Sequence, residues 1–247
     1  MDDLDKIGKN CRLLIEGKYH VFCSKTLLCE SKILQQMISF THFTSDSVPL
    51  PNFITSAVIV NIMNLLEREN ITLQDLFYST MNYVFVLLKS IDFLELDIIQ
   101  QKLQDIALIK ITHYNCFNIY MKSKCLPFEN SISTTALKML MYQIESYYES
   151  NMIDENSMDP FVNKYKAMQI SDIQTMLSID ENISIITKIL TFKNWWKFNR
   201  RQNLKAEVHF ILNDINNKAM YIHRKKIQFM RRIRDDIYED LQHLQKN

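Results

Sequence analysis

Glycine is nearly absent from this chain, with only two in 247 residues. Because glycine lets a backbone close around a phosphate or turn sharply, a chain this poor in it is badly suited to phosphate loops. One of the two, Gly17, lies at the centre of the apolar segment 12–22. The alternation on either side of Gly17 predicts antiparallel strands at 12–16 and 18–23, joined by a tight turn.

Most of the remaining sequence has helical spacing. Ser24 and Ser31 are typical N-caps for short helices at 25–29 and 32–40. Val48-Pro-Leu-Pro-Asn52 is predicted to be extended, because each proline disfavours helical backbone in the residue before it.

The other predicted elements are a short edge strand and ten helices. The strand is at 71–73, and the helices are at 54–67, 75–93, 97–111, 114–122, 133–149, 159–168, 171–178, 182–198, 203–216 and 218–245. Strands confined to the first third predict an α+β N-terminal domain, residues 1–111, and an all-helical second domain, residues 112–247. The whole chain should be mainly α.

Composition and motifs favour a non-catalytic protein. Hydrophobic residues make up 47% of the chain, which is typical of a folded protein, and we expect no signal peptide or membrane span. The five cysteines are odd in number and include no C-x-x-C pair, which favours reduced, buried thiols in an intracellular protein. No nucleophile, phosphate-loop or metal-ligand motif occurs, so we expect no enzyme activity, no cofactor and no metal.

The first half of the chain resembles a BTB/POZ domain. Leu13, Ile15, Gly17 and Val21 fit the hairpin of that family, which leads into a helix pair and then into another strand and helix. Residues 83–108 resemble the helical end of the domain. Asn10-Cys11 stands where the family has an aspartate, and Ser24 where it has a histidine.

The second half resembles a BACK domain. His113-Tyr-Asn-Cys116 resembles its Asn-Cys opening, and residues 170–185 resemble its Leu-rich turn, which ends at a helix tryptophan, here Trp195 or Trp196. The likeness to Kelch-like proteins covers about residues 11–216, but Kelch repeats, which need paired glycines, are absent. This Ile- and Asn-rich composition resembles BTB–BACK products of large DNA viruses.

The resemblance implies a protein–protein adaptor that joins a cullin–RING ubiquitin ligase, or that interferes with host BTB adaptors. It further implies a homodimer, an unidentified substrate and a location in the (host) cytoplasm, with the nucleus as an alternative. The cullin contact would fall in Phe43-Thr-Ser-Asp46, where Phe43 is the apolar anchor and Asp46 its acidic neighbour. That loop is one residue longer than the family's, and a solvated loop is the other interpretation.

Charge is segregated along the chain, since residues 193–234 hold twelve lysines or arginines against two acidic residues. This segment predicts a basic surface, and a nucleic-acid-binding or chromatin-associated module is the alternative function. The basic candidates are Lys197, Arg200, Arg201, Arg224, Lys225, Lys226, Arg231 and Arg232. In the other interpretation Trp195 or Trp196 is buried, and Arg200 and Arg201 are a solvated helix end. The apolar stripe of the last helix, which runs from Ile227 to Leu244, either docks on its own domain or receives a partner.

Overall fold

A computed structural model describes residues 11–41, 47–126, 131–150, 159–200, 204–219 and 224–246. For residues 19–20, 41, 69–72, 216–219, 224–230 and 244–246 only the backbone is described. Within these ranges the protein is mainly helical and has one small three-stranded sheet, as the sequence predicts.

The chain divides into two compact units. The first comprises Met1–Ile111 and Asn118–Ser133, and the second Thr112–Phe117 and Thr134–Asn247. The first unit holds β1 (Arg12–Ile15), β2 (Tyr19–Phe22), α1 (Lys25–Glu30), α2 (Lys32–Thr41), β3 (Ser47–Pro49), α3 (Ser56–Glu67), α4 (Glu69–Tyr78), α5 (Met81–Phe93) and α6 (Asp97–Ile109). Helices α7 (Cys116–Ser123) and α8 (Ser131–Ser150) contribute to both units. The second unit continues with α9 (Val162–Ala167), α10 (Ile170–Ser178), α11 (Ile185–Asn199), α12 (Lys205–Ala219) and α13 (Arg224–Lys246).

The hairpin around Gly17 is confirmed. Strand β1 pairs antiparallel with β2 and parallel with β3, which gives the sheet order β2-β1-β3. Lys18 N donates to Ile15 O at 3.1 Å, and both Glu16 (φ 55°) and Gly17 (φ 67°) have positive φ, as a type I′ turn requires. Leu13 and Ile15 point into the core from the same face of β1.

Serine side chains begin the helix pair, as predicted. Ser24 Oγ accepts from Leu27 N at 3.2 Å at the start of α1. Ser31 Oγ accepts from Leu34 N at 3.2 Å at the start of α2, and its hydroxyl donates to Leu94 O at 2.7 Å. Because this hydroxyl is buried, the second bond ties α2 to the end of α5 with its polar groups satisfied.

Two predictions between residues 69 and 93 are wrong. The edge strand expected at 71–73 is helical and belongs to α4. The single helix expected at 75–93 is two helices, because Ser79 N donates to Leu76 O while Thr80 Oγ1 accepts from Tyr83 N. The burial of Leu76 shows that packing overrides the β propensity of the short run before it.

Helix α5 ends in a Schellman motif built without glycine. Glu95 N donates to Asp92 O and Leu96 N donates to Ile91 O, both at 3.0 Å. Leu96 and Ile91 are buried, which supplies the apolar contact that accompanies the motif. Glu95 has φ 52°, the left-handed region where a side chain costs about 1–2 kcal/mol and glycine costs little.

We expect Glu95→Gly to stabilise the first unit. Relief of the left-handed strain should raise the free energy of unfolding by about 1 kcal/mol relative to Glu95→Ala, which removes the same charge but keeps a Cβ. Urea denaturation of the three proteins measures this difference. Equal stability of the Gly and Ala variants would contradict the strain at Glu95.

The core of the second unit forms around α11. This helix packs against α9, α10, α12 and α13, and most of its residues from 187 to 196 are buried. Trp195 Nε1 donates to Met168 O at 3.0 Å, so the indole satisfies the main-chain carbonyl group that follows α9. The interpretation that Trp195 or Trp196 is buried is confirmed, and both side chains are 1% exposed.

The last helix docks on its own unit. Ile233, Ile237 and Leu241 of α13 are buried, and they lie at the helical spacing of the predicted apolar stripe. Of the two interpretations of this stripe, self-docking is the one that the described residues bear out.

Candidate interaction surfaces

The loop implied for cullin binding, with Phe43 and Asp46, lies outside the described residues. Its N-terminal neighbour α2 places Phe40 in the last helical turn with 81% of its surface exposed. Phe40 is exposed because Ile38 faces the core, and a side chain two positions further along a helix points to nearly the opposite side. The sequence analysis missed Phe40, although its spacing from the core residues was readable.

A second exposed apolar surface, the α4–α6 patch, consists of Phe77, Tyr78 and Ile109. Tyr78 is 86% exposed, and the other two are largely exposed. Lys110 Nζ donates to Phe77 O and to Ser79 O, and it lies 5.6 Å from the centre of the Phe77 ring. The lysine thereby joins the ends of α4 and α6. This patch was not predicted, because the sequence analysis ran α4 and α5 together.

The basic segment is partly neutralised by acidic residues just beyond it. Lys193 Nζ lies 3.2 Å from Asp236 Oδ2, and an Arg200 nitrogen lies 2.9 Å from Asp240 Oδ1. These pairs join α11 to α13 beside the buried stripe. The sequence window 193–234 ends before both aspartates, so the charge count overstated the basic surface.

The predicted basic residues whose side chains are described are exposed. They are Lys197, Arg200, Arg231 and Arg232, of which Arg200 also forms the ion pair with Asp240. Arg201 lies outside the described residues, as do the side chains of Arg224, Lys225 and Lys226.

Neither tryptophan of this segment is available to stack on a base. Trp195 and Trp196 are each 1% exposed, so neither ring can stack on a base. Phe198 is partly exposed and lies between two lysines, with Lys166 Nζ 5.0 Å and Lys197 Nζ 6.0 Å from its ring centre. Of the three aromatic side chains at 195–198, Phe198 alone is exposed.

An open groove of about 520 Å³ lies in the second unit beside the start of α7. Its lining residues are His113, Tyr114, Tyr142, Gln143, Ser146, Phe161 and Lys164. Cys116, behind the groove, donates to His113 O at 3.5 Å, and burial raises the pKa of its thiol. The Cys116 thiol therefore stays protonated at neutral pH.

Asp180 forms the most densely connected charged cluster of the described residues. Its carboxylate accepts from Lys138 Nζ at 2.6 Å, from Tyr142 OH at 2.7 Å and from Asn182 N at 2.9 Å. Its main-chain carbonyl accepts from the buried Lys188 Nζ at 2.7 Å. The Lys138 ammonium and the other donors hold the pKa of Asp180 well below its usual range, so the carboxylate stays ionised and braces the turn before α11.

A second polar cluster surrounds Asp159. Tyr148 OH donates to Asp159 Oδ2 at 2.7 Å, and Asn194 Nδ2 donates to the same oxygen at 2.7 Å. Burial raises the pKa of Tyr148, and it raises the pKa of Tyr165 by more. The hydroxyl oxygens of these two tyrosines lie 3.2 Å apart. Both phenols therefore remain protonated at neutral pH, and the cluster fixes α8 and α9 against α11.

Among the described residues, no group of three or more His, Cys, Asp or Glu side chains is placed to hold a metal ion. Within the same ranges, each helix is too short or too polar to cross a membrane. No protein-family model matches this chain, and no curated protein matches it either.

The Asp180 cluster makes stability depend on acidic pH. Since the folded pKa of Asp180 is below its unfolded value, the ionised carboxylate stabilises the fold above about pH 4, and this contribution declines as pH falls further. Wild type should therefore exceed Asp180→Asn in free energy of unfolding at pH 6, and the gap should narrow below about pH 4.

Denaturant titrations from pH 3 to pH 7 test this expectation. Tyr142→Phe, which removes one of the three donors, should reproduce part of the loss at pH 6. A gap between wild type and Asp180→Asn that stays constant across this range would rule out an ionised, stabilising carboxylate.

Proposed function

We propose that this protein is an adaptor of the BTB–BACK type that binds other proteins and engages a cullin–RING ubiquitin ligase. The order of elements in the first unit supports the proposal, because a hairpin, a helix pair, a strand and a helix follow one another as the resemblance implies. Helix α4 departs from the expected strand at 71–73. In the second unit, the buried Trp195 of α11 agrees with the helix tryptophan of a BACK domain.

The observation that carries the proposal is the exposure of Phe40. Aromatic side chains dominate the binding energy of protein interfaces when they enter a pocket on the partner. Phe40 extends from α2 immediately before residues 42–46, where the resemblance implies the cullin contact. An exposed aromatic ring next to Phe43 would give the contact a second anchor in this longer loop.

The same surface suits either form of the adaptor role. A ligase adaptor would hold cullin at this surface and a substrate elsewhere. An inhibitor of host BTB adaptors would hold cullin, or a host adaptor, without delivering a substrate. We further propose that a second copy of the chain is a partner, as the resemblance implies.

Affinity purification from transfected cells, followed by mass spectrometry, tests the cullin contact. We expect cullin and its RING partner with the wild-type chain and a loss of about tenfold or more with Phe40→Ala, Phe43→Ala or Asp46→Ala, since each removes a central contact. Phe210→Ala is the matched control, because Phe210 is 69% exposed on α12 of the second unit.

Equal recovery of cullin with all four variants would place the contact elsewhere on the chain. Recovery of host BTB adaptors without cullin would instead support interference. A wild-type purification that contains neither would contradict the proposal.

Nucleic-acid binding remains the second candidate, supported by Phe198 with its two lysines and by the exposed Arg231 and Arg232. The pairing of Lys193 and Arg200 with aspartates weighs against it. We therefore expect no complex with a fluorescent single-stranded oligonucleotide at about 0.15 M salt, where phosphate contacts are weakened. A complex that forms there and is lost in Phe198→Ala would favour this function over the adaptor.

A further inference from the structure

Two cysteines face each other at the open end of the hairpin. Arg12 is paired with Phe22, so the next residues outward, Cys11 and Cys23, lie opposite each other. Cys23 N donates to Cys11 O at 3.0 Å, which continues the ladder to this pair. Opposite residues of antiparallel strands project to the same face of the sheet. Cys11 and Cys23 are 8% and 5% exposed, on the same face of β1 as the core residue Leu13.

The spacing of this pair suits a disulfide. Hydrogen-bonded residues of an antiparallel pair hold their Cα atoms about 5.5 Å apart. Disulfides usually join Cα atoms about 4.4–6.8 Å apart. The pair therefore meets the Cα criterion for a disulfide, and its Cβ atoms, about 4.5–5.5 Å apart in such pairs, would approach each other by about 1 Å as the bond forms.

We propose that Cys11 and Cys23 form an intramolecular disulfide when the protein meets an oxidised low-molecular-weight disulfide such as oxidised glutathione. The Cys11 thiolate attacks one glutathione sulfur, forms a mixed disulfide and releases one reduced glutathione. Cys23 then gives its proton to solvent and attacks the Cys11 sulfur, which releases the second. Two protein thiols are oxidised and one glutathione disulfide is reduced to two thiols.

The two thiols are suited to different steps. The hydrogen bond from Cys23 lowers the pKa of Cys11, so Cys11 carries the thiolate that begins the exchange. The same contact, together with burial, raises the pKa of Cys23. Cys23 therefore reacts second, once the mixed disulfide holds an electrophilic sulfur beside it.

Closing this bond would join β1 and β2 at the end opposite the Gly17 turn. The hairpin would then be closed at both ends, and the unfolded chain would lose conformational freedom across residues 11–23. We expect the oxidised protein to melt several degrees above the reduced protein.

The experiment equilibrates the folded full-length chain in buffers of defined reduced-to-oxidised glutathione ratio. Free thiols are trapped with N-ethylmaleimide, and non-reducing peptide mapping identifies the linked peptides. We expect a Cys11–Cys23 link whose fraction rises with the proportion of oxidised glutathione. Cys11→Ala and Cys23→Ala should abolish the link and the rise in melting temperature. The double variant Cys29→Ser/Cys125→Ser, which removes the two exposed thiols, should keep both.

Three outcomes would overturn the inference. Cys11 and Cys23 could stay fully alkylated at every glutathione ratio, or the links formed could involve Cys29 or Cys125 instead. The Cys11–Cys23 link could also form only after the chain is unfolded in urea. Circular dichroism of both alanine variants shows whether they fold, and in folded variants the absence of the link reports the pairing itself.

Discussion

Helix ends that lack glycine are the constraint on which this fold depends. Many helices end with a glycine in the left-handed conformation, but here Glu95 takes that place in α5, and at three other helix ends polar side chains donate to the terminal carbonyl groups. Gln35 Nε2 donates to the last carbonyls of α1, Lys110 Nζ to those of α4, and Trp195 Nε1 to Met168 O after α9. Each of these donors comes from a different helix, so closing a helix end also fixes the packing of its neighbour. At these three helix ends, the bonds that cap the helix are therefore also tertiary contacts.

Local signals predicted the elements whose cause is local. The hairpin follows from alternation around Gly17, and the starts of α1 and α2 follow from Ser24 and Ser31, because a turn and an N-cap involve only a few neighbouring residues. The break at residues 79–80 is also local, since Thr80 caps α5 as Ser24 caps α1, and the sequence analysis missed this cap. The error at 71–73 has a tertiary cause. The α4 terminus receives its donors from Lys110, more than thirty residues away, and the sequence around residue 78 carries no sign of that bond.

The predictions about the candidate surfaces divide in the same way, into those that a local pattern supports and those that depend on tertiary structure. The burial of the α13 stripe could be predicted, since periodicity reports which face of a helix is apolar, whereas a buried Trp195 or Trp196 was expected from the resemblance to a BACK domain. The pairing of Lys193 and Arg200 with aspartates of α13 could not, because a charge count along the chain ignores which helices become neighbours. The cysteine pair did carry a signal. Cys11 and Cys23 are equally distant from Gly17, and a hairpin centred there places them opposite each other.

Part of the charge segregation in this chain therefore serves the fold, because basic and acidic side chains of different helices pair with each other. Docking of α13 buries an apolar stripe and brings its aspartates to the cations of α11, so part of the basic segment stabilises the second unit. The described clusters around Asp159 and Asp180 likewise hold helices together, and their pKa shifts keep the Tyr148 phenol protonated and the Asp180 carboxylate ionised at neutral pH. Among the described residues, the large apolar side chains that remain exposed include Phe22, Phe40, Tyr114, Phe210 and those of the α4–α6 patch. Exposed aromatic rings of this kind suit contacts with other proteins.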